Sequence, residues 1–269
     1  MDEVIKNDIT FGHLMMLGDT HGNTLQIAPQ LLMRYDLNNT EKSKAIVHVG
    51  DFGLGFSSID GDMKALHIAN ARLKKYNTFL YIIRGNHDDP KWFNNHEYME
   101  NTKKDGEIEN IILVPDHTIL ALTIEGREKP VKIYCNGGAY SIDRTLRTEG
   151  KSYWADEPFK CLSKSQLDEI PNDLDIIVTH TRPNGVWPTD KSGIEHWLLK
   201  DMGLYRDIEE EGSWMKDMFD SIKEKQDSFL HFYGHFHESH KEHFEYDNKR
   251  FTHQCLDIDE LVEVRIEQL

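Results

Sequence analysis

The hydrophobic residues of this chain are concentrated in short runs rich in β-branched side chains, each the length of a β-strand. Gly, His or Asp follows most of these runs. The runs are His13–Leu17, Ala45–Val49, Phe79–Ile83, Ile111–Val114, Ile119–Ile124, Val131–Cys135, Asp175–Val178 and Phe229–Tyr233. The pattern predicts a protein built on a β-sheet.

Two segments between these runs show helical periodicity instead. Thr24–Tyr35 and Gly61–Tyr76 repeat apolar residues every three or four positions, which gives each segment one apolar face. Strand, helix and strand in succession predict βαβ units and a largely parallel first half of the sheet. Ile111–Cys135 is typical of hairpin-connected strands with a turn at Gly126, and the alternation after Gly234 predicts more strands.

The segment Asn184–Asp227 differs from the rest because Trp187, Trp197 and Trp214 fall within an acidic, helical stretch. It predicts either an amphipathic helix that packs on the core or a cap insertion beside a site, and the sequence leaves both alternatives open. We see no internal repeat or long linker. We therefore expect an α/β fold in a single domain over residues 1–269, with a helical cap-like insertion at about 184–227.

Charge and cysteine usage narrow the class of protein further. The 269 residues include 31 Lys and Arg against 47 Asp and Glu, a net charge of −16. Such an acidic chain repels the phosphate backbone of DNA, so we expect no non-specific binding to duplex DNA. Binding of a phosphate group at a metal site stays compatible with this charge, because bound metal ions invert the local electrostatic field. Sparse cysteines, a polar N-terminus and the absence of a long apolar run predict a cytoplasmic protein with no membrane association. The oligomeric state stays open.

Residue types that bind metal ions follow several of the predicted strands. The segments after the strands read GDTHGN from Gly18, GDFG from Gly50, GNHD from Gly85, THTRP from Thr179 and GHFH from Gly234. Each is a weak signal alone, since a strand-end turn often holds Asp or His. Five such segments in one chain predict a shared site, because the carboxyl ends of strands in α/β sheets meet at one edge.

The candidate ligands suit two ions better than one. They are Asp19, His21, Asp51, Asn86, His180, His235 and His237. Carboxylate, imidazole and amide ligands without thiolate predict Mn²⁺, with Fe, Zn²⁺ or Ni²⁺ as alternatives. Asp51 is the natural bridge, because one carboxylate can bind two cations about 3.5–4 Å apart.

The same set of motifs resembles the calcineurin-like metallophosphoesterase superfamily over Asp19–His237. The resemblance implies a four-layer fold, with two mixed β-sheets flanked by helices and a dinuclear site at one edge. It also implies that the first ion is held by Asp19, His21 and His237, the second by Asn86, His180 and His235, and both by Asp51. The implied activity is attack on a phosphate ester by a metal-bridging hydroxide, with no phosphoenzyme.

The resemblance implies that His87 is the general acid, a task that suits an imidazole because its pKa lies near neutral pH. Asp88 could orient His87 and keep it protonated. Asn86 is placed to contact substrate as well as metal. For the segment GGAYSIDRTLR, similar to bacterial and phage members of uncertain substrate, the sequence predicts phosphate contacts from Arg144 and Arg147. Arg182 is a further candidate.

The substrate class stays open at this level. Protein phosphatases of the superfamily usually show GDxVDRG at the second motif, where this chain reads GDFGLGF, although Arg84 reproduces their RGNHD. We expect a small phosphomonoester or phosphodiester, with a nucleotide as one candidate. The alternatives are a protein Ser/Thr phosphatase-like enzyme, a nuclease, and a non-catalytic module that binds metal or nucleotide.

Overall fold

The computed structural model describes residues 3–23, 42–94 and 108–269. The strands are β1 (Glu3–Leu17), β2 (Ser43–His48), β3 (Thr78–Ile82), β4 (Ile111–Leu113), β5 (Thr118–Ile124), β6 (Val131–Asn136), β7 (Ile176–Thr179), β8 (Ser228–Tyr233), β9 (His240–Tyr246), β10 (Lys249–Cys255) and β11 (Leu261–Val264). The helices are α1 (Ile59–Lys75), α2 (Lys91–Asn94), α3 (Lys164–Glu169), α4 (Glu195–Lys200) and α5 (Leu204–Lys225), with 3₁₀ turns at Arg144–Leu146 and Ile266–Gln268. The positions of the predicted strands and the helix at Gly61–Tyr76 are confirmed, whereas the predicted helix Thr24–Tyr35 lies outside the described residues. The hairpin predicted within Ile111–Cys135 joins β5 and β6 only, because β4 pairs in parallel with β3.

The strands form a mixed sheet in the order β4-β3-β2-β1-β5-β6-β7-β8-β10-β9, with β11 paired to β1. Pairing is antiparallel between β1 and β11, β5 and β6, and β9 and β10, and parallel elsewhere. The strand β1 belongs to two halves of this sheet: its first residues pair with β5, and its last four pair with both β2 and β11. A register shift between Lys6 and Thr10 marks the transition.

Side-chain alternation along the strands separates the core into layers, because successive residues of a strand point to opposite faces. In β1, Leu14 and Met16 join a cluster that also contains buried residues of β5, β6 and β7, whereas Met15 and Leu17 join a cluster with α1. The first cluster therefore lies between the two halves of the sheet. On the far side, Tyr134 and Ile177 pack against Met215 and Phe219 of α5.

The result is the predicted four-layer α/β sandwich, with α1 outside one half of the sheet and α5 outside the other. One detail differs from the expectation of two separate sheets: hydrogen bonding through β1 joins the halves into a single eleven-stranded sheet. Helix α1 begins at a Ser58 cap, whose hydroxyl accepts from the N–H of Gly61.

The segment Asn184–Asp227 has two parts with different surroundings, and the cap-like insertion stays a prediction. Helix α5 packs an apolar face on the sheet, including Met215, Met218 and Ile222. Residues 187–194, which precede α4, instead line a cavity described below. Within the described residues, no helix combines the length and the hydropathy needed to cross a membrane.

Candidate metal centre

Loops after five strands bring the candidate ligands together at one edge of the sheet. Asp19 and His21 follow β1, Asp51 follows β2, and Asn86 follows β3. The remaining ligands follow β7 and β8, namely His180, His235 and His237. All seven predicted ligands are placed in one continuous network of close contacts around Asp51.

The first group within this network consists of Asp19, His21, Asp51 and His237, whose ligand atoms all lie within 4.8 Å of one another. The Nε2 atoms of His21 and His237 are 2.9 Å apart, and His237 Nε2 is 3.4 Å from Asp19 Oδ2. Asp19 Oδ1 is buried and has no hydrogen-bond partner among the described residues. Burial raises the pKa of Asp19, so this carboxylate needs a compensating cation in order to stay ionised.

The second group consists of Asn86, His180 and His235, again with Asp51. The ring of His180 donates from Nδ1 to the carbonyl of Val49 at 2.8 Å, which directs Nε2 toward Asp51 Oδ1 at 3.2 Å and Asn86 Oδ1 at 3.0 Å. His235 Nδ1 lies 2.9 Å from the same amide oxygen. The oxygens of Asp51 and Asn86 thus face ring nitrogens of His180 and His235. Each oxygen is an acceptor, so a proton or a cation must lie between it and the nitrogen that it faces.

The electrostatics of this second group favour a cation. Burial acts against a charged imidazole, but Asp51 and Asp19 outweigh it and raise the pKa of His180 to about 9. Burial alone would also raise the pKa of Asp51, yet His180 holds it below the usual range. Burial lowers the pKa of His235, so this imidazole is neutral and free to act as a ligand. The donor set therefore fits divalent metal ions.

The backbone of the site is strained, which the sequence did not reveal. His21, Asp51, His235 and His237 all have left-handed φ angles, at 45°, 59°, 71° and 52°. Non-glycine residues rarely adopt this conformation, and clusters of it are found at functional sites. Gly85 permits the close approach of two loops, because a Cβ there would lie 2.1 Å from Asp51 Oδ1.

His87 borders the centre and contacts two side chains that fix its ring. Its Nε2 accepts from the guanidinium of Arg147 at 2.6 Å, and Arg147 also pairs with Asp143 at 2.6 Å. The ring stacks on Phe56 with centroids 5.7 Å apart. Burial, with help from Arg147, lowers the pKa of His87 to about 4.

Asp88 has a role other than the predicted one of orienting His87. Its carboxylate accepts four backbone hydrogen bonds: Oδ1 accepts from Gly53 and Leu54, and Oδ2 accepts from Phe52 and Gly85. These bonds hold the loop after β2 against the loop after β3. Burial and the charge of Asp51 raise the pKa of Asp88 to about 7. The expectation that Asp88 holds the His87 ring is therefore corrected, because its oxygens are engaged by the backbone.

The predicted phosphate contact of Arg144 is also corrected. Its guanidinium pairs with Asp201 at 2.6 Å and Asp207 at 2.7 Å, and it lies over the ring of Tyr140. These contacts tie the loop after β6 to the start of α5. Arg144 is not among the residues that line the cavity, whereas Arg147 and Arg182 are.

Several supporting residues were missed by the sequence reasoning. His48 accepts from the N–H of Gly50, and Thr179 Oγ1 lies 2.8 Å from His231 Nε2, whose ring contacts His253 in turn at 2.8 Å. These histidines are buried. The signal that could have found them was a polar residue inside an apolar strand, as in AIVHV and FLHFY.

A cavity of about 740 Å³ opens beside the ligand network. Asp51, Asn86, His235 and His237 border it on the metal side. Residues 187–194 and one turn of α5 border it on the other side. The centre therefore faces a space much larger than a single phosphate group.

Comparisons with known proteins show a family match and similar solved structures. A sequence model described as calcineurin-like phosphoesterase matches residues 12–239. No curated protein gives a significant match. A crystal structure of TT1561 from Thermus thermophilus is 12% identical, with a TM-score of 0.46 over 89% of this chain and 88% of that one. A second crystal structure is 12% identical, with a TM-score of 0.44 over 89% of each chain.

Proposed function

Because this chain belongs to the calcineurin-like phosphoesterase family, we propose that it hydrolyses a phosphomonoester or phosphodiester of a small molecule with the help of two divalent metal ions. The observation that carries the proposal is the convergence of seven ligand side chains around Asp51. Asp51 contacts both groups of ligands, as a bridging carboxylate must.

Each group would hold one ion. Asp19, His21 and His237 would bind the first and Asn86, His180 and His235 the second, with Asp51 shared. Mn²⁺ suits this mixture of oxygen and nitrogen ligands. When bound, two such ions lower the pKa of water and neutralise charge on phosphoryl oxygens. Val49 fixes the ring of His180 through its carbonyl, which leaves Nε2 free to bind.

The chain itself supplies the proton that a leaving oxygen needs. His87 lies beside Asn86 and lines the cavity, so its imidazole can donate to an ester oxygen there. Without substrate, Arg147 occupies Nε2 of His87 and favours the neutral ring. A phosphate group offers Arg147 a stronger acceptor and favours the protonated imidazole through its own negative charge.

Arg84 gives this chain the RGNHD segment of the protein phosphatases, and its side chain is engaged inside the protein. Arg84 is fully buried, donates from Nε to Asp116 at 2.9 Å, and donates from its terminal nitrogens to the carbonyls of Glu157 and Pro158. The positive charge of Arg84 is thus paired with Asp116 inside the protein. The second motif, GDFGLGF, also lacks the arginine of GDxVDRG, and the proposal is therefore a small-molecule esterase instead of a protein phosphatase.

The first experiment compares hydrolysis of p-nitrophenyl phosphate with that of bis(p-nitrophenyl) phosphate by metal-stripped protein reloaded with Mn²⁺. We expect turnover that needs the metal and that falls at least about a hundredfold in Asp51→Asn, because one substitution weakens both ion sites. The preferred ester distinguishes a monoesterase from a diesterase.

The matched control is Asp156→Asn, which changes an exposed carboxylate and should retain wild-type turnover. Counting bound ions per chain by elemental analysis supplies a second readout. Two bound ions with no turnover of either ester would contradict the proposed activity and leave a binding role.

A further inference from the structure

We propose that the cavity beside the metal centre binds the leaving group of the substrate, and that this group carries a planar aromatic ring and a second anionic group, as a nucleotide does. This inference rests on the proposed function, since it assigns the part of the substrate that lies beyond the reacting phosphorus. A volume of about 740 Å³ is within the range of sites for whole small molecules, about 300–1,000 Å³.

Aromatic side chains supply much of the apolar lining. Tyr140, Trp187, Trp197 and Phe236 come from three separate segments and all line the cavity. All four are half-buried, so each offers part of its ring to a ligand. Flat, sequence-distant rings around one space are the arrangement that stacks on a planar base.

The position of Trp187 beside the cavity is fixed by contacts of its backbone and of its ring. Its backbone N–H donates to the carboxylate of Glu242 at 2.7 Å, and its carbonyl accepts from the hydroxyl of Tyr233 at 2.6 Å. One face of its indole stacks on the ring of His240, with centroids 4.7 Å apart. The remaining surface of the indole borders the cavity. A side chain fixed in this way loses little conformational entropy on binding.

Arg182 supplies the positive charge. Its side chain is only 6% exposed, and no described carboxylate forms an ion pair with its guanidinium, whereas Glu209, Glu211 and Glu242 act on its charge from farther away. Its Nη1 donates to Asn184 and to the carbonyl of Pro183, whereas its buried Nε has no partner among the described residues. Because these carboxylates act only from a distance, an anionic group on a ligand can stabilise this buried charge by direct contact.

The other cations that line the cavity are already paired. Arg147 contacts Asp143, and Lys191 contacts Glu209 at 2.8 Å. Asp190 and Glu238, two of the lining carboxylates, are exposed, where water screens their charge, and a third, the buried Glu211, accepts from the N–H of Phe159. Arg182 is therefore the lining cation with charge available for a ligand. The two metal ions would serve the reacting phosphoryl group, which leaves Arg182 for a second anion.

The test is calorimetric binding to the full chain without added metal, so that phosphate–metal coordination does not contribute. The probes are adenosine 5′-monophosphate (ring and anion), adenosine (ring alone) and ribose 5-phosphate (anion alone). We expect the nucleotide to bind at least about tenfold more tightly than either fragment, since base stacking and one charged contact each add about tenfold.

Substitutions then separate the two contributions. Trp187→Ala should weaken nucleotide binding about tenfold and leave ribose 5-phosphate unaffected, whereas Trp187→Phe should retain most of the affinity. Arg182→Gln should lower nucleotide affinity to that of adenosine. Arg206→Gln, which changes an exposed arginine outside the cavity, is the control.

Equal affinity of the wild-type chain for all three probes would overturn the inference, and this comparison needs no variant that might fail to fold. So would nucleotide binding that is unchanged in Trp187→Ala. Both results are independent of the turnover assay, because binding is measured without metal. Failure of the proposed hydrolysis would show instead as no metal-dependent cleavage of either nitrophenyl ester.

Discussion

The amide of Asn86 donates from Nδ2 to the hydroxyl of Ser141 at 3.0 Å, and this bond determines which end of the amide faces the metal centre. The opposite end, Oδ1, points at the ring nitrogens of His180 and His235. Without Ser141 the amide could rotate and present a donor to the ion. The proposed second ion would thus depend on Ser141, a residue outside the set of ligands.

We expect Ser141→Ala to weaken Mn²⁺ binding at the second position by about 10–100-fold, the usual effect of losing a group that orients a metal ligand. The first position lacks Asn86 and should change little. Calorimetric titration of metal-free protein resolves the two binding steps. Ser165→Ala, an exposed serine on α3, serves as the control. Two unchanged affinities would show that Ser141 does not orient the amide.

Asp88 is expected to matter for stability because its two oxygens accept four backbone hydrogen bonds. Asp88→Asn replaces one oxygen with an NH₂ group that faces two N–H donors. Unsatisfied buried donors cost about 1–3 kcal/mol each, so we expect the free energy of unfolding to fall by about 2–6 kcal/mol. Urea denaturation measures this loss.

Asp89→Asn is the matched control for Asp88. Asp89 accepts from the N–H of Lys91 through one oxygen, and an asparagine can accept the same bond. Its unfolding free energy should stay within about 0.5 kcal/mol of wild type. A loss of similar size in both variants would mean that the four backbone bonds are not what makes Asp88 important.

Local sequence patterns were sufficient to predict the strands and the ligand loops. Apolar runs mark buried strands, and the residues that follow these strands lie at the edge of the sheet. The proximity of Asp51 and His180 could therefore be predicted from the sequence. The four-layer order was implied by the resemblance to the metallophosphoesterase superfamily and not by the strand and helix pattern itself.

Contacts between residues far apart in the sequence could not be predicted from local sequence patterns. Arg144 is close in sequence to the predicted phosphate segment, but its partner Asp201 is 57 positions away, and nothing local distinguishes a paired arginine from a free one. The left-handed backbone of His235 is likewise invisible, because it is imposed by the packing of distant loops.

His87 should act on the leaving group, so its effect should depend on how much that group needs a proton. Nitrophenolate leaves as a stable anion, whereas the alkoxide from glycerol phosphate must be protonated. We expect His87→Asn to lower kcat for glycerol phosphate by about 10²–10⁴, the usual contribution of a general acid, and to lower it less for p-nitrophenyl phosphate. Steady-state kinetics on both esters tests this expectation.

The two esters serve as controls for one another, since any general damage to the metal centre lowers both rates together. Elemental analysis should still find two ions per chain in the variant. Equal losses on both esters would contradict proton donation and would assign His87 to binding of the phosphoryl group.

Glu211 should make the stability of the protein depend on pH. This residue of α5 is buried, accepts from the N–H of Phe159 at 2.9 Å, and has a pKa that burial raises to about 8. Between its unfolded value near 4.5 and about 8, the folded state binds more protons than the unfolded state. The free energy of unfolding therefore falls as pH rises through that window.

Glu211→Gln removes this titration and keeps the acceptor for Phe159. We expect the variant to gain up to about 2 kcal/mol of stability relative to wild type between pH 6 and pH 8, since each pKa unit corresponds to about 1.4 kcal/mol. Urea denaturation at both pH values gives the two differences. Glu210→Gln, its exposed neighbour on the same helix, should show no such gain. The stability difference between Glu211→Gln and wild type could instead be the same at both pH values. That result would mean that the pKa of the Glu211 carboxyl is no higher in the folded protein than in the unfolded chain.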